Sequence, residues 1–317
     1  MARYVATRLL TMLLVLAVVS VGLFALSHSA PGGPLASLIP PDQIGDSQAL
    51  IEAKTKEFGL DKPLTTQYAI WVGKLVTGDL GMSFQFGRPV SSLIAERLVP
   101  TLELMGIGFV LGSLIAIGLG MFQAANKGKA IDYLLGAASL LLLSTPAFFL
   151  GMLLIYFFSA KLGWLPSSQM STAGDGSPLD LIRHLVLPVT VLAALQAASL
   201  TRYIRAGLLE ELSRDYVRTA VAKGATTGQA RWKAFRNSLG PLVTIMMMSV
   251  PGLLSGAVVL ESVFAWPGMG SLTIGAIQFR DYPVILGFGM IVALLVVVCN
   301  FLADLLLSLL DPRVALR

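Results

Sequence analysis

The sequence predicts an all-α integral membrane protein with about six transmembrane helices, on the evidence of its composition, six long apolar stretches and the placement of basic residues. Of the 317 residues, 55% are hydrophobic and 13% are charged, with a mean hydropathy of +0.78. Soluble domains carry roughly 25% charged residues, so the polar coat of a soluble protein is missing. A bilayer removes the need for that coat because its hydrocarbon core accepts apolar side chains.

The net charge of +5 does not by itself indicate a nucleic-acid partner. Nucleic-acid binding needs basic residues gathered on one solvated face, whereas here they lie mostly between apolar runs. The single cysteine, Cys299, lies inside an apolar run. A disulfide within the chain and a cysteine metal cluster are therefore excluded.

A spanning helix needs roughly 20 mostly apolar residues. Six stretches qualify, at about residues 9–28, 99–123, 132–159, 184–206, 239–262 and 284–310. The first run also fits a cleaved signal peptide, but it is longer than a typical apolar region of about 7–15 residues, so we expect a retained helix. The predicted organisation is a transmembrane helix at 1–28, an external cap segment at 29–98, and a five-helix core at 99–317 that carries a loop at 207–238.

Most of the 23 lysines and arginines fall on the cytoplasmic side if the N-terminus is cytoplasmic. Cytoplasmic loops of membrane proteins carry such an excess of basic residues, so we expect both termini inside. The 29–98 segment would then be external. Its turn-rich start, an N-cap at Ser47 for a helix ending at Gly59, and helical spacing after Pro63 predict a small helical cap on the membrane surface.

Two features inside the spans predict packing or a pathway. Four small residues at four-residue intervals allow close helix packing, either within the chain or against another subunit: Gly108, Gly112, Ala116 and Gly120. Gln196 and Asn300 are polar residues in apolar surroundings, and we expect them to face a pathway or another helix.

Motifs for nucleotide or metal chemistry are absent from the sequence. A P-loop reads GxxxxGK[ST], and the nearest candidate, at Gly128-Lys129, fails because Gln123 and Ala130 occupy the flanking positions. Two histidines, His28 and His184, cannot form a multi-histidine metal site. We therefore expect no cofactor on this chain and no enzymatic activity, and ATP with its magnesium would bind to another polypeptide.

The 207–238 loop contains a basic amphipathic stretch, Leu208 to Gly224, which follows the fourth span and whose helix Gly224 can end. Leu212, Tyr216 and Ala220 lie four residues apart and form an apolar stripe. A glycine past the end of a helix favours the left-handed conformation that closes the last turn. Such a helix either lies on the anionic inner leaflet or docks into a groove of a cytoplasmic partner.

The run from Asp215 to Gly224 resembles the cytoplasmic "EAA" loop of ATP-binding-cassette importer permeases, in the dipeptide, oligopeptide and nickel branch. The literal Glu-Ala-Ala reads Arg218-Thr219-Ala220, and Gly240 replaces a usually apolar residue before Pro241. Other stretches also resemble this branch, in the same order along the chain and on the expected sides of the membrane. They are Arg202 with Arg205, 57–64, 78–83, 88–90, 261–270 and 280–283.

This resemblance implies half of a translocation pathway in the bacterial inner membrane, in a complex with a second permease subunit, two ATPases and an external solute-binding protein. The residues it implies as ATPase contacts are Asp215, Tyr216, Arg218, Thr219, Ala220, Lys223 and Gly224. Those implied for binding-protein docking are Trp266, Pro267, Gly268, Arg280, Asp281 and Tyr282.

Three other functions remain open from the residues alone: an ion-coupled secondary transporter, an intramembrane enzyme and a structural scaffold. A secondary transporter often pairs ionisable residues near the membrane midplane, and no such pair is evident. The substrate is not indicated, whether dipeptide, oligopeptide, glutathione, nickel chelate or sugar.

Overall fold

The computed structural model describes residues 2–29, 55 and 61–310. The helices within these residues are α1 (Ala2–Ser29), α2 (Leu64–Val76), α3 (Val90–Ala125), α4 (Ala130–Ser144), α5 (Ala147–Leu154, continued by a π-helix at Ile155–Lys161), α6 (Pro178–Leu212), α7 (Asp215–Ala222), α8 (Thr227–Val263), α9 (Met269–Gln278) and α10 (Tyr282–Leu310).

Five of these helices are long and apolar enough to cross a membrane, namely α1, α3, α6, α8 and α10. The pair α4–α5 makes a sixth span if its two bent halves are counted together. The prediction of an all-α membrane protein with about six spans is therefore confirmed.

The predicted third span, 132–159, is wrong as a single straight helix. Its two halves meet at 101°. The break falls at Thr145, whose backbone is extended (φ −94°, ψ 126°), directly before Pro146. The ring of a proline disfavours the helical region for the residue before it, and hydropathy alone does not register this effect.

The predicted fifth span, 239–262, is part of a longer helix that begins inside the predicted 207–238 loop. Helix α8 begins at Thr227 and continues through Pro241 and Pro251. Both prolines lie inside the helix, Pro241 after Gly240 and Pro251 after Val250, and neither breaks it. Its N-terminus is fixed by a capping box between Thr226 and Gln229.

The described residues divide into two compact units, the first formed by residues up to Pro100 together with Pro267–Val297. Its core joins the start of α3 to α9 and to the start of α10, through Val90, Leu93, Ile94, Met269, Leu272, Ala276 and Val284. Helix α2 lies against α1, where the Tyr68 hydroxyl is 2.8 Å from the Ser20 hydroxyl. Of the predicted cap, residues 61–98 are described, and they include α2 and the start of α3. Of the helix expected from Ser47 to Phe58, only residue 55 is described, so the expectation stays a prediction.

The second unit comprises Thr101–Trp266 and the residues from Val298 onward. Helix α6 packs closely on α3 along the glycine stripe. A Cβ at Gly112 would lie 2.8 Å from the carbonyl oxygen of Ala193, and one at Gly120 would lie 2.7 Å from the Cβ of Ile204. The stripe therefore serves packing within the chain, the first of its two predicted roles.

Candidate partner-docking site

The short helix α7 is separated from α6 by a two-residue turn. Helix α6 ends at Leu212, and the hydroxyl of Ser213 donates to the carbonyl of Glu210 at 2.7 Å. Arg214 is extended (φ −75°, ψ 150°), which redirects the chain into α7. Asp215 occupies the first turn of α7, where a carboxylate interacts favourably with the helix dipole.

The C-terminus of α7 is closed by a Schellman motif centred on Gly224. The amide of Ala225 donates to the carbonyl of Ala220 at 3.1 Å, and that of Gly224 donates to Val221 at 2.9 Å. Gly224 has φ +92°, in the left-handed region that glycine adopts without a steric penalty. The expectation that Gly224 ends this helix in a left-handed conformation is confirmed.

The inner face of α7 packs against the end of α6 and the start of α8. Val217 is buried in a cluster with Leu208, Ala230, Ala234 and Phe235. The helix is therefore held on both flanks by apolar side chains, and it is not a free loop.

Tyr216 also faces inward. Its hydroxyl donates to Glu211 Oε2 at 2.6 Å. Burial raises the pKa of Tyr216 above its ordinary value, and the hydrogen bond to Glu211 adds to the increase. The hydroxyl thus keeps its proton at physiological pH and fixes α7 to the last turn of α6. Glu211 also accepts from Arg214 Nε at 2.8 Å, so one carboxylate holds both sides of the turn.

The outer face of α7 is exposed and carries most of the predicted ATPase contacts. Arg218 and Asp215 form an ion pair of 3.7 Å with side chains that are 77% and 97% exposed. The other exposed residues of this face are Thr219, Val221, Ala222, Lys223 and Gly224. Of the seven predicted contacts, Tyr216 and Ala220 are half-buried and contribute to the support of the helix.

A second support of this region involves a residue that was not singled out from the sequence. Arg205 Nε and a terminal amino group donate to the two carboxylate oxygens of Asp132, both at 2.7 Å. Asp132 lies in the first turn of α4 and is buried. The sequence signal was weak, since Asp132 is one acidic residue at the start of an apolar run.

The predicted binding-protein docking residues of the first unit are anchored by a buried carboxylate. Asp281 is fully buried and accepts from Ser83 Oγ at 2.5 Å and from the amides of Phe84 and Gln85, each at 3.1 Å. Tyr282 is buried as well, whereas Arg280 is exposed. The accessible surface here is therefore formed by residues 277–280, and Asp281 holds that turn in place.

In the second unit, Trp266 is fully buried. Its amide donates to the carbonyl of Glu261 at 2.8 Å, which closes the end of α8. Pro267 is half-buried and Gly268 is buried. The side chain of Trp266 thus anchors the loop, and it is not available to a docking partner in this structure.

The two predicted pathway residues have different surroundings. Gln196 is buried and its Nε2 donates to Ser249 Oγ on α8 at 2.8 Å, so it joins α6 to α8. Asn300, on α10, is exposed on the isolated chain. A pathway role for either residue remains a prediction.

The fold is that of a multi-span membrane protein with a short, exposed and braced helix between two of its spans. Residues 116–316 match the family described as the binding-protein-dependent transport system inner membrane component, and residues 1–105 match its N-terminal region. The chain belongs to this family.

Similar proteins cover the full length of the chain. It is 41% identical to a Brucella suis protein described as a peptide permease, 39% identical to the oligopeptide transport system permease protein AppB of Bacillus subtilis, and 37% identical to the glutathione transport system permease protein GsiC of Escherichia coli K12. Each alignment covers 99% of both chains. The protein is therefore a multi-pass permease subunit of an ATP-binding-cassette importer of the bacterial inner membrane, a transport component that works in a complex with other subunits. The resemblance inferred from the EAA-like loop is confirmed.

Proposed function

We propose that this permease forms half of the translocation pathway for peptides or peptide-like solutes, and that α7 is the coupling helix that docks into a cytoplasmic ATPase. The other half would come from a second permease subunit. An external binding protein would deliver the solute to the surface at residues 277–280 and to the 29–98 segment. Both termini would be cytoplasmic, on the side of α7.

The observation that carries the proposal is the two-sided construction of α7. Its inner face is fixed by Val217 and by the Tyr216–Glu211 hydrogen bond, while its outer face is exposed and charged. A rigid helix between two long spans transmits a displacement of its partner to both of them, whereas a flexible loop absorbs it. Arg218 and Lys223 would pair with acidic groups on the ATPase.

The sequence contains no P-loop, so the energy would come from ATP and magnesium held by the partner ATPases, and this chain would carry no enzymatic activity. The substrate class is supported by the names of the relatives, which are peptide, oligopeptide and glutathione permeases. Selection among these solutes would rest mainly with the external binding protein.

The test begins with a search of the neighbouring reading frames for a secreted binding protein. That protein is purified, and its bound solute is identified by mass spectrometry. ATP-driven uptake of that solute is then measured in proteoliposomes that contain both permeases and both ATPases. We expect the bound solute to be a peptide or peptide-like molecule. We expect its uptake to require ATP on the side of the membrane where the ATPases lie. Uptake driven by an ion gradient without the ATPases would contradict the proposal.

A further inference from the structure

Asp132 and Arg205 form a bidentate ion pair between the start of α4 and the second half of α6. Both guanidinium–carboxylate distances are 2.7 Å, and the side chain of Asp132 is only 3% exposed. Two parallel hydrogen bonds fix both the separation and the relative orientation of the guanidinium and the carboxylate. A single hydrogen bond fixes only their separation.

Further hydrogen bonds hold the acidic partner in place. The amide of Gly128 donates to Asp132 Oδ2 at 3.1 Å, and Gln123 Nε2 donates to the carbonyl of Asp132 at 3.2 Å. Gly128 has φ +78°, which sets the turn between α3 and α4. The end of α3 thus holds the backbone of Asp132, and the turn holds its carboxylate, so Arg205 contacts a preorganised acceptor.

Arg205 also lies close to the proposed coupling helix. It precedes the last residue of α6, Leu212, by seven positions, which is about 10 Å along a helix. Helix α6 is continuous from Arg205 to that end, and α7 is fixed to its last turn through Glu211. A displacement of α7 is therefore carried to Arg205 by hydrogen-bonded structure.

We infer that the Asp132–Arg205 pair is a positioning clamp that makes α4 move together with the coupling helix during transport. The inference rests on the proposed coupling function of α7 and adds residues outside the EAA-like loop to it. Helix α4 is the first half of the bent span, which meets α5 at 101°. Through the clamp, the motion of the ATPase would reach this bend as well as the ends of α6 and α8.

The pair is a positioning element because neither residue lies on the exposed face of α7. Loss of the clamp should leave the basal ATP hydrolysis of the partner subunits intact. It should weaken the stimulation of that hydrolysis by the external binding protein. Coupling free energies between sites are typically 1–3 kcal/mol. We therefore expect the stimulation of ATPase activity by the binding protein to fall about fivefold or more.

The experiment compares three variants in the complete reconstituted complex: Asp132→Asn, Arg205→Lys, and a double variant that exchanges the charges by combining Asp132→Arg and Arg205→Asp. The probe is the purified binding protein with its co-purified solute, and the readout is the ratio of ATPase rates with and without it. Lys129→Gln removes an exposed cation from the same turn and serves as the control. Nitroxide labels at residues 134 and 236 report by pulsed EPR the distance between α4 and α8, without nucleotide and with ATP plus vanadate.

In the wild type and in Lys129→Gln, we expect strong stimulation and one narrow distance that nucleotide leaves unchanged. Asp132→Asn should keep basal ATP hydrolysis, lose the stimulation by the binding protein and broaden the distribution of the α4–α8 distance. Arg205→Lys should lose part of the stimulation. The charge exchange should restore part of the stimulation that Asp132→Asn loses. Normal stimulation with a narrow distance in Asp132→Asn would overturn the inference. If that variant does not assemble, a charge exchange that restores assembly without stimulation would overturn it too. Failure of α7 to contact the ATPase in the wild type would instead refute the proposed function.

Discussion

The hydroxyl of Ser83 donates a hydrogen bond of 2.5 Å to the buried carboxylate of Asp281, which lies 198 residues later in the chain. The two residues belong to the 78–83 and 280–283 stretches that identified the family from sequence. Two backbone amides, of Phe84 and Gln85, complete the ligation of the same carboxylate. These two family motifs, both predicted to be external, therefore meet in one structure, and Asp281 links them.

Asp281→Asn is expected to loosen the 79–89 loop. The amide nitrogen of asparagine cannot accept the two hydrogen bonds that Asp281 Oδ2 takes from Ser83 and Gln85, and each such bond contributes about 0.5–1.5 kcal/mol. Hydrogen–deuterium exchange of residues 82–88 in the purified complex should rise by tenfold or more, since about 1.4 kcal/mol corresponds to a factor of ten. The control is Asp79→Asn, an exposed residue in the same loop. Unchanged exchange in Asp281→Asn would refute this role.

Gly224→Pro is expected to uncouple ATP hydrolysis from uptake while the protein still inserts into the membrane. Proline fixes φ near −65°, whereas Gly224 has φ +92°, and it removes the amide that donates to Val221. The Schellman motif would be lost, and α7 would present a different surface. A bulky residue at Ala220, which is half-buried, should act in the same direction.

Gly228→Ala provides the matched control for Gly224, because Gly228 has an ordinary φ and its added Cβ would lie no closer than 4.0 Å to another group. The measurement is solute uptake per ATP hydrolysed in proteoliposomes. A normal ratio in Gly224→Pro would show that the end of α7 does not govern coupling.

Tyr216→Phe removes the hydroxyl that donates to Glu211 at 2.6 Å and leaves the ring in place. Losing one hydrogen bond costs about 0.5–1.5 kcal/mol, and Glu211 keeps Arg214 as its other partner. Amide exchange across residues 215–222 should accelerate by about fivefold or more, with a partial loss of coupling. Tyr203→Phe, at an exposed position on α6, should change neither quantity. Equal exchange in both variants would contradict the bracing role of Tyr216.

Gly112→Ala is expected to destabilise the transmembrane unit. The new Cβ would lie 2.8 Å from the carbonyl oxygen of Ala193, which is backbone and cannot rotate away. Overpacking of this kind costs about 1–3 kcal/mol. Gly118→Ala, on the same helix with open space around the added Cβ, should be neutral. Thermal unfolding of the two variants in detergent decides the point, and equal stabilities would contradict close α3–α6 packing.

The sequence was sufficient to predict the number of spans, the family and the glycine that ends α7. These features depend on local signals: apolar length, a short motif and one residue with special backbone freedom. The 101° bend at Pro146 was missed because hydropathy is continuous across residues 132–159. At this position the restriction that Pro146 places on the backbone of Thr145 outweighs the high average hydropathy of residues 132–159.

The supports of the site could not be predicted, because each depends on a partner distant in sequence. Asp132 and Arg205 are 73 residues apart, and nothing in the local pattern of either identifies the other. Trp266 and Asp281 were expected on a docking surface because the resemblance implies that they lie in an external loop. Both are fully buried, and Asp281 is held by a loop nearly 200 residues earlier.

The central claim is that the outer face of α7 contacts a cytoplasmic ATPase, and site-specific photo-cross-linking tests it most directly. A photoreactive residue at Arg218, whose side chain is 77% exposed, should form an adduct with the ATPase in the assembled complex. The same residue at Ile277, exposed in the predicted external loop, should form none with that subunit. Adducts from position 218 with lipid alone, in a complex that hydrolyses ATP and transports its solute, would contradict the account.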